Sequence, residues 1–475
     1  MEYTPYVVLA FLLAMTVLGA WHARRVKSAD DFALAGRGLS GWVLCGTLIA
    51  TWIGTGSIFS NAEFTYDNGI VGLFLPISGA VGMLFLAWVA PRVRNLPAAS
   101  VPQILGLRFG KPAQKLGAVA LLGAYLIIIS YQYRAGAAVA ERLFPGMDLS
   151  FGEPENPQSW WPILFAVFVI LYTALAGMVS VAITDVANGV VMTIGILFGL
   201  GLLFMDWDPV TQPMPETHLR IAGALTGIKW INIMLPSFLL ILGDANLMQR
   251  FLAAKSPATA KRAALGAFVG LVILESAIIG LALMGKMMLP EAPENTAHVI
   301  IDTAFQLMPA VIGTLLAAAV VAIIISTADS FLLACSTTAA TDLGGGMTTP
   351  RKQRVLVIVL GLVALGLAFA SKKFFDVALY AYTLYGVTIT PAMICALLLP
   401  KIRPRAVVCG MSAGLVFALI WKALIDLPPI DSPILPTAML DIDAVLPALL
   451  VNVLTIVLVQ RFAPGKAGPG VKMSG

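Results

Sequence analysis

Residues 41–62 read GWVLCGTLIATWIGTGSIFSNA. The run is apolar and long enough to span a bilayer, yet Gly54, Thr55, Gly56 and Ser57 sit at its centre. Backbone that unwinds at membrane depth is tolerated only where it lines a cavity, because lipid offers it no hydrogen bonds. The same cluster also suits a face of small residues on which a neighbouring helix packs closely. Residues 227–248, GIKWINIMLPSFLLILGDANLM, carry a second interruption. There Pro236 removes a backbone hydrogen bond, and Gly243-Asp244 puts a carboxylate near one end.

The rest of the chain is built for lipid. Of 475 residues, 59% are apolar and 12% charged, against about 45–50% and about 25% in an ordinary soluble domain. A soluble enzyme, a nucleic-acid binder and a disordered chain are excluded, and an all-α polytopic membrane protein embedded in a lipid bilayer remains. Apolar runs of spanning length lie near 5–23, 41–62, 70–91, 115–141, 160–177, 181–205, 227–248, 265–288, 309–341, 354–371, 377–399, 405–424 and 443–462. Thirteen transmembrane helices are therefore expected. The first run lacks the basic flank of a signal peptide and reads as a retained helix. The four cysteines, Cys45, Cys335, Cys395 and Cys409, lie in or beside apolar runs without metal or disulfide spacing and read as packing residues.

Five spans separate the starts of the two interrupted helices. Interrupted helices at matching positions of two five-helix halves are the pattern of secondary transporters built from inverted repeats. The expected division is 1–40 (first helix and loop), 41–205 (first repeat), 227–399 (second, inverted repeat) and 400–475 (two peripheral helices and a tail). The halves share no clear residue identity, so the repeat rests on pattern. Lys and Arg gather in alternate loops, for example Arg24, Arg25, Lys27 and Arg37, then Arg92, Arg94 and Arg108, then Arg250, Lys255, Lys261 and Arg262, then Arg351 and Lys352. The positive-inside rule then places the N-terminus outside and the C-terminus in the cytoplasm of a plasma (inner) membrane. The net charge of +5 resides in these short loops and implies no nucleic-acid partner. The Gly-, Pro- and Lys-rich segment 464–475 reads as a disordered tail.

Polar groups inside spans are costly and mark function by default. Ser326 and Thr327 lie in the long run 309–341, within Ile-Ser-Thr-Ala-Asp-Ser at 325–330. Sodium needs about five or six oxygens, which two hydroxyls and a few unwound carbonyls supply. The alternative is that both hydroxyls bond back to carbonyls one turn earlier. Asp185, Arg134, Glu275 and Glu63 are further intramembrane charges. Snorkelling to the interface accounts for Glu63 and Asp185, whereas Arg134 and Glu275 demand partners that the sequence does not identify.

Four segments together resemble the sodium/solute symporter family. They are Asp31-Phe-Ala-Leu-Ala-Gly-Arg-Gly-Leu39 before Gly41-Trp42, Tyr172-Thr-Ala-Leu-Ala-Gly-Met-Val-Ser-Val-Ala-Ile-Thr-Asp185, Gln249-Arg250-Phe-Leu-Ala-Ala-Lys255, and Ser326-Thr327-Ala-Asp-Ser330. The resemblance implies the five-plus-five inverted-repeat (LeuT-type) fold, one helix before it and two after. It also implies a sodium site made by the carbonyls of Ala50, Ile53 and Ile323 with the hydroxyls of Ser326 and Thr327. Asp185 would stand on the cytoplasmic exit path of the ion. By the same rough alignment the solute pocket would include Ser57, Gln132, Arg134, Ser237, Leu240, Ile241 and Thr383. Sugar-carrying members place a carboxylate where this chain has Leu75-Pro76, so a sugar is disfavoured. Arg134 leans the reading towards an amino acid or organic acid.

The expected function is thus sodium-coupled import of a small organic solute by alternating access. Proton coupling through Asp244 or Glu275, or a membrane sensor on the same fold, are the competing readings. An enzyme is not expected: His22, His218 and His298 lie at membrane edges or in loops without metal spacing.

Overall fold

The structure, a computed structural model, describes residues 3–23, 28–145, 147, 149–151, 158–175, 177–221, 225, 227–344, 349–369, 374–426, 439 and 441–463. The expected disordered tail and the basic residues Arg24, Arg25 and Lys27 lie outside them. The chain runs through helices α1 (Thr4–Ala23), α2 (Ala29–Leu34), α3 (Gly41–Trp52), α4 (Ala62–Asn68), α5 (Phe74–Arg94), α6 (Val101–Phe109), α7 (Lys111–Leu143), α8 (Trp161–Leu175) and α9 (Met178–Asp206). It continues through α10 (Gly227–Gly243), α11 (Ala245–Ala253), α12 (Pro257–Met288), α13 (Val299–Gln306), α14 (Ala310–Thr338), α15 (Pro350–Ala368), α16 (Phe374–Leu398), α17 (Pro404–Asp426) and α18 (Val445–Phe462). Two-residue strands Ser150–Phe151 and Gln158–Ser159 pair antiparallel in an extramembrane loop.

Local sequence sets the ends of these helices. Ser28, Ser100, Ser256 and Thr349 cap α2, α6, α12 and α15, each accepting from the backbone N–H three residues on. Each of the thirteen apolar runs carries a helix. Among the described residues, however, ten helices are long and apolar enough to cross a membrane. α3 and α8 are too short, with 12 and 15 residues. α15 begins with Arg351, Lys352 and Arg354, which interrupt its apolar length. Among the described residues, length and composition thus support ten of the thirteen expected crossings.

Both interrupted helices break. α3 ends at Trp52, Ile53 leaves the helix (φ −73°, ψ 98°), and the chain resumes as a π-helical turn, Gly56–Asn61, leading into α4. In the second, Pro236 is carried inside α10, and the break falls at Asp244 (φ −54°, ψ 121°), which caps α11. Around these breaks the packing is paired. α3 lies against α9 and α12, as α10 lies against α16 and α5. α7 lies against α15 and α16, as α14 lies against α8 and α9, and α5 meets α12 while α7 meets α14.

α14 is the centre of the bundle: every residue from Leu316 to Thr338 is buried. A helix that is apolar all round is stable only when enclosed on all sides. By contrast α1, α15, α17 and α18 leave rows of Leu and Val exposed, among them Leu13, Val17, Val359, Leu362, Val453 and Val457. Those rows suit contact with acyl chains. On one face the basic residues grip carbonyls. Arg37 donates to the carbonyls of Leu96 (3.1 Å) and Ala98 (2.9 Å), and Arg94 to that of Ala254. The backbone of Leu39 pairs with Ala253 and Lys255, so the segment before α3 is tied to the segment after α11.

Candidate functional site

The break in α3 releases a set of carbonyls. Its last hydrogen bond runs from Ile53 N to Ile49 O (2.9 Å), and the next along the chain are from Ser57 and Ile58 to Gly54 O (3.1 and 3.2 Å). The carbonyls of Ala50 to Ile53 fall in that gap. Facing it from α14 is Thr327, buried, with no hydrogen-bond partner for Oγ1. The approach is close because residue 54 is glycine: a Cβ there would lie 2.8 Å from Thr327 Oγ1 and 3.0 Å from its Cγ2. Ile323, one turn earlier on α14, is part of an unbroken helix. Its carbonyl keeps a second lone pair beyond the helical bond.

Ser326 turns to a different partner. Its Oγ donates to Asp185 Oδ1 at 2.5 Å. The other oxygen of Asp185 accepts from Thr47 and, at 2.9 Å, from Arg250 Nη2. Arg250 also donates to Thr47 Oγ1 (2.8 Å), Ser330 Oγ (2.8 Å) and Asn246 O (3.3 Å). Both charged side chains are essentially sealed from solvent, at 1% and 0% exposure. A buried ion pair is costly to desolvate, and the additional hydrogen bonds offset that cost. The network joins α3, α9, α11 and α14 at one point. Asp329 lies beside it on α14, accepting from Ser330 Oγ (3.3 Å) with Oδ2 left without a hydrogen bond.

The second break is closed by tyrosines. Tyr125 of α7 donates to Asp244 Oδ2 (2.9 Å) and accepts from Ala245 N (2.9 Å). Tyr385 of α16 donates to Gly243 O (2.7 Å) and stacks on Tyr125 with centroids 5.4 Å apart. Asp244 Oδ1 meanwhile accepts from Leu247 N (2.8 Å).

Between the two breaks lies a cavity of about 60 Å³. Thr51, Trp52, Gly54, Gly56, Ser57, Ser60 and Asn61 line it from the first interrupted helix; Ile233, Ser237, Leu240, Asp244 and Leu247 from the second. Leu75, Pro76, Ile128, Tyr131, Glu275, Thr327, Phe331, Leu379 and Tyr382 complete it. Ser57 Oγ donates to Glu275 Oε1 (2.6 Å) and Asn61 Nδ2 to Oε2 (3.5 Å).

A family model described as the sodium:solute symporter family matches residues 32–414. The chain belongs to the sodium:solute symporter family. A sodium/proline symporter of Escherichia coli K12 is 22% identical over 452 residues, 88% of each chain. A high-affinity choline transporter of Caenorhabditis elegans is 22% identical over 89% of this chain and 78% of its own. An uncharacterized symporter of Escherichia coli K12, YidK, is 25% identical over 280 residues, and this chain spans about half of it, 48%. Among solved structures, a substrate-bound, outward-open Na⁺-coupled sialic acid symporter superposes with TM-score 0.77 at 17% identity, over 98% of this chain and 99% of its own. Mhp1, a nucleobase-cation-symport-1 transporter in a closed conformation, gives 0.60 at 14%, over 90% and 94%. At these identities the likeness is one of fold.

As a sodium:solute symporter the chain is a transporter, not an enzyme, and sodium is its coupling ion. Of the residues anticipated for sodium, Ala50 and Ile53 lie at the break, Thr327 packs against Gly54 beside it, and Ser326 and Asp185 bond to each other. Of those anticipated for the solute, Ser57, Ser237 and Leu240 line the cavity. Gln132, Arg134, Ile241 and Thr383 do not. The helices are those expected, but the register differs by one: Tyr131 and Tyr382 face inward where Gln132 and Thr383 were placed. One residue along a helix turns a side chain through roughly 100°. By sequence Arg250 reads as a loop cation, and the structure instead buries it on α11 as the partner of Asp185. Nor does snorkelling account for Asp185, which is fully buried.

Proposed function

We propose that this symporter imports a small organic solute by alternating access, with sodium held between the broken segment of α3 and the middle of α14. The ligands would be the carbonyls of Ala50, Ile53 and Ile323 and the hydroxyls of Ser326 and Thr327. One observation carries the reading: carbonyls freed from a helical ladder face a buried, unpartnered hydroxyl across a glycine contact. Sodium bound there pins α3 to α14 and favours the state in which the neighbouring cavity is formed. Sodium and solute then raise each other's affinity by the same factor. Asp185 stands behind Ser326 and provides the exit path, its charge balanced by Arg250 until the ion leaves.

The driving force is ample. One charge crossing 100 mV releases about 2.3 kcal/mol, and a tenfold solute gradient costs about 1.4 kcal/mol. The paired packing of α3–α9 with α10–α16, and of α7–α16 with α14–α9, supports the division into repeats 41–205 and 227–399. In this reading thirteen segments cross an inner membrane, with the N-terminus outside and the C-terminus in the cytoplasm. The solute is not an ordinary sugar, since Leu75 and Pro76 line the cavity where sugar carriers would have a carboxylate. Arg134 does not line the cavity, so it does not select an organic acid.

Thermal unfolding of the detergent-purified protein in sodium against potassium chloride, at equal ionic strength, tests the site. A sodium-specific rise in midpoint is expected, and Thr327→Ala with Ser326→Ala is expected to lose it. A rise that the double variant keeps in full would place the ion elsewhere.

A further inference from the structure

The cavity carries a charge that sodium coupling does not use. Glu275, on α12, is 2% exposed and lines the cavity. A donor reaches each of its carboxylate oxygens, from Ser57 and Asn61. That suits an ionised carboxylate, which only accepts. Among the described residues no Lys, Arg or His lines the cavity, and the ion pairs do not include Glu275. The other lining carboxylate, Asp244, is occupied by Tyr125 and by the cap of α11. A buried, unpaired charge is costly and is retained where something of opposite charge comes to meet it.

The walls say what kind of cation that is. Trp52, Tyr131, Phe331 and Tyr382 surround the same space. Two glycines make room for the rings. A Cβ at residue 56 would lie 2.6 Å from the Tyr382 hydroxyl oxygen, and one at residue 79 would lie 2.8 Å from Trp52 Cζ2. Aromatic faces attract organic cations, whereas a metal ion needs about six oxygens around it. Thr51 and Ser60 add buried hydroxyls without hydrogen-bond partners, open to a polar group on the same molecule.

We propose that the solute carries a positively charged nitrogen, an ammonium or amine group, held against Glu275 between the rings of Trp52, Tyr131 and Tyr382. The proposal rests on the symport reading and names the chemical class of the solute. An organic anion would meet carboxylates and no cation.

The test is thermal unfolding of the full chain in saturating sodium chloride with millimolar tetramethylammonium, choline, ethylamine or L-proline, and with lactate and glucose as anionic and neutral probes. At least one nitrogen compound is expected to raise the midpoint, and lactate and glucose are not. In Glu275→Gln the half-effective concentration is expected to rise at least about tenfold, as loss of a direct charge contact in a buried site requires. Glu275→Asp, which keeps the charge, is expected to recover part of it. A shift with lactate or glucose instead overturns the proposal. So does a shift unaffected by Glu275→Gln, or no shift with any nitrogen compound while the sodium effect is intact. Loss of the sodium effect in the wild type would instead overturn the symport reading beneath it. Should Glu275→Gln not fold, Ser237→Cys in a chain whose four native cysteines are replaced supplies a second readout. A cationic thiosulfonate is expected to modify it at least about tenfold faster than an anionic one; equal or reversed rates overturn the proposal.

Discussion

Gly54→Ala is the sharpest probe of how α3 meets α14. The added methyl would sit 2.8 Å from Thr327 Oγ1, 3.0 Å from Cγ2 and 3.5 Å from Cβ. Thr327 cannot swing away freely, because it is β-branched, buried and held on a helix buried on every side. The strain must be relieved by moving α3 from α14, which opens the gap proposed to hold sodium. Overpacking of this kind costs about 1–3 kcal/mol. If that cost falls on the sodium-bound state, affinity drops between about fivefold and about 150-fold. Gly56→Ala is the control: its Cβ meets only the hydroxyl end of Tyr382, 2.6 Å away, with the next atom at 3.9 Å. A ring tip yields more readily, so sodium affinity should change much less. The assay is the sodium concentration giving half the maximal thermal shift. Thr327→Ser frees the rotamer and should restore part of the affinity in the Gly54→Ala background. An unchanged sodium midpoint in Gly54→Ala, with the protein folded, would refute the placement of the ion at this contact.

Arg250→Ala strips Asp185 of its ion-pair partner in a fully buried site and should destabilise by about 3–5 kcal/mol, read as a large fall in unfolding midpoint. Asp185→Asn in that background should recover much of the loss. Tyr125→Phe removes the donor to Asp244 and leaves Ala245 N without that acceptor, at a cost of about 1–3 kcal/mol, seen as a lower midpoint with sodium affinity little changed. In the loop region before α13, burial and then the nearby Arg142 guanidinium lower the pKa of His298 to about 4. The folded state therefore resists protonation that the unfolded chain accepts, so this residue's contribution is full above the ordinary imidazole value and is lost as pH falls from about 6.5 towards about 4. His298→Gln should flatten stability against pH in that window; Asp302, raised mainly by burial, has the opposite slope, so the difference between variant and wild type isolates the imidazole. A difference curve flat across the window would refute the assignment.

Some features of the site were legible because they are violations of a simple rule. Gly54-Thr-Gly-Ser57 interrupts a span that would otherwise be a plain apolar helix, and the first break occurs within a few residues of it; the second falls at Asp244, well beyond Pro236, the helix breaker that the sequence offered there. Glu275 stands out for the same reason, as an acid in the middle of an apolar run. Its donors, Ser57 and Asn61, lie more than two hundred residues away, and no local pattern announces them. The partner of Asp185 was missed because Arg250 follows the break and reads, by sequence, as one more loop cation. The clue was present: Ala245–Ala253 keeps helical spacing and is capped by Asp244.

The sequence by itself determined that this chain lives in a bilayer, which two of its spans are interrupted and which family it joins. Hydropathy, helix breakers and motifs are carried by neighbouring residues and survive being read in one dimension. Only the tertiary structure decided which side chains face the cavity, because a one-residue change of register rotates a helix by roughly 100°. That rotation brings Tyr131 and Tyr382 inward in place of Gln132 and Thr383 and leaves Arg134 off the cavity, whose lining carboxylates are Glu275 and Asp244.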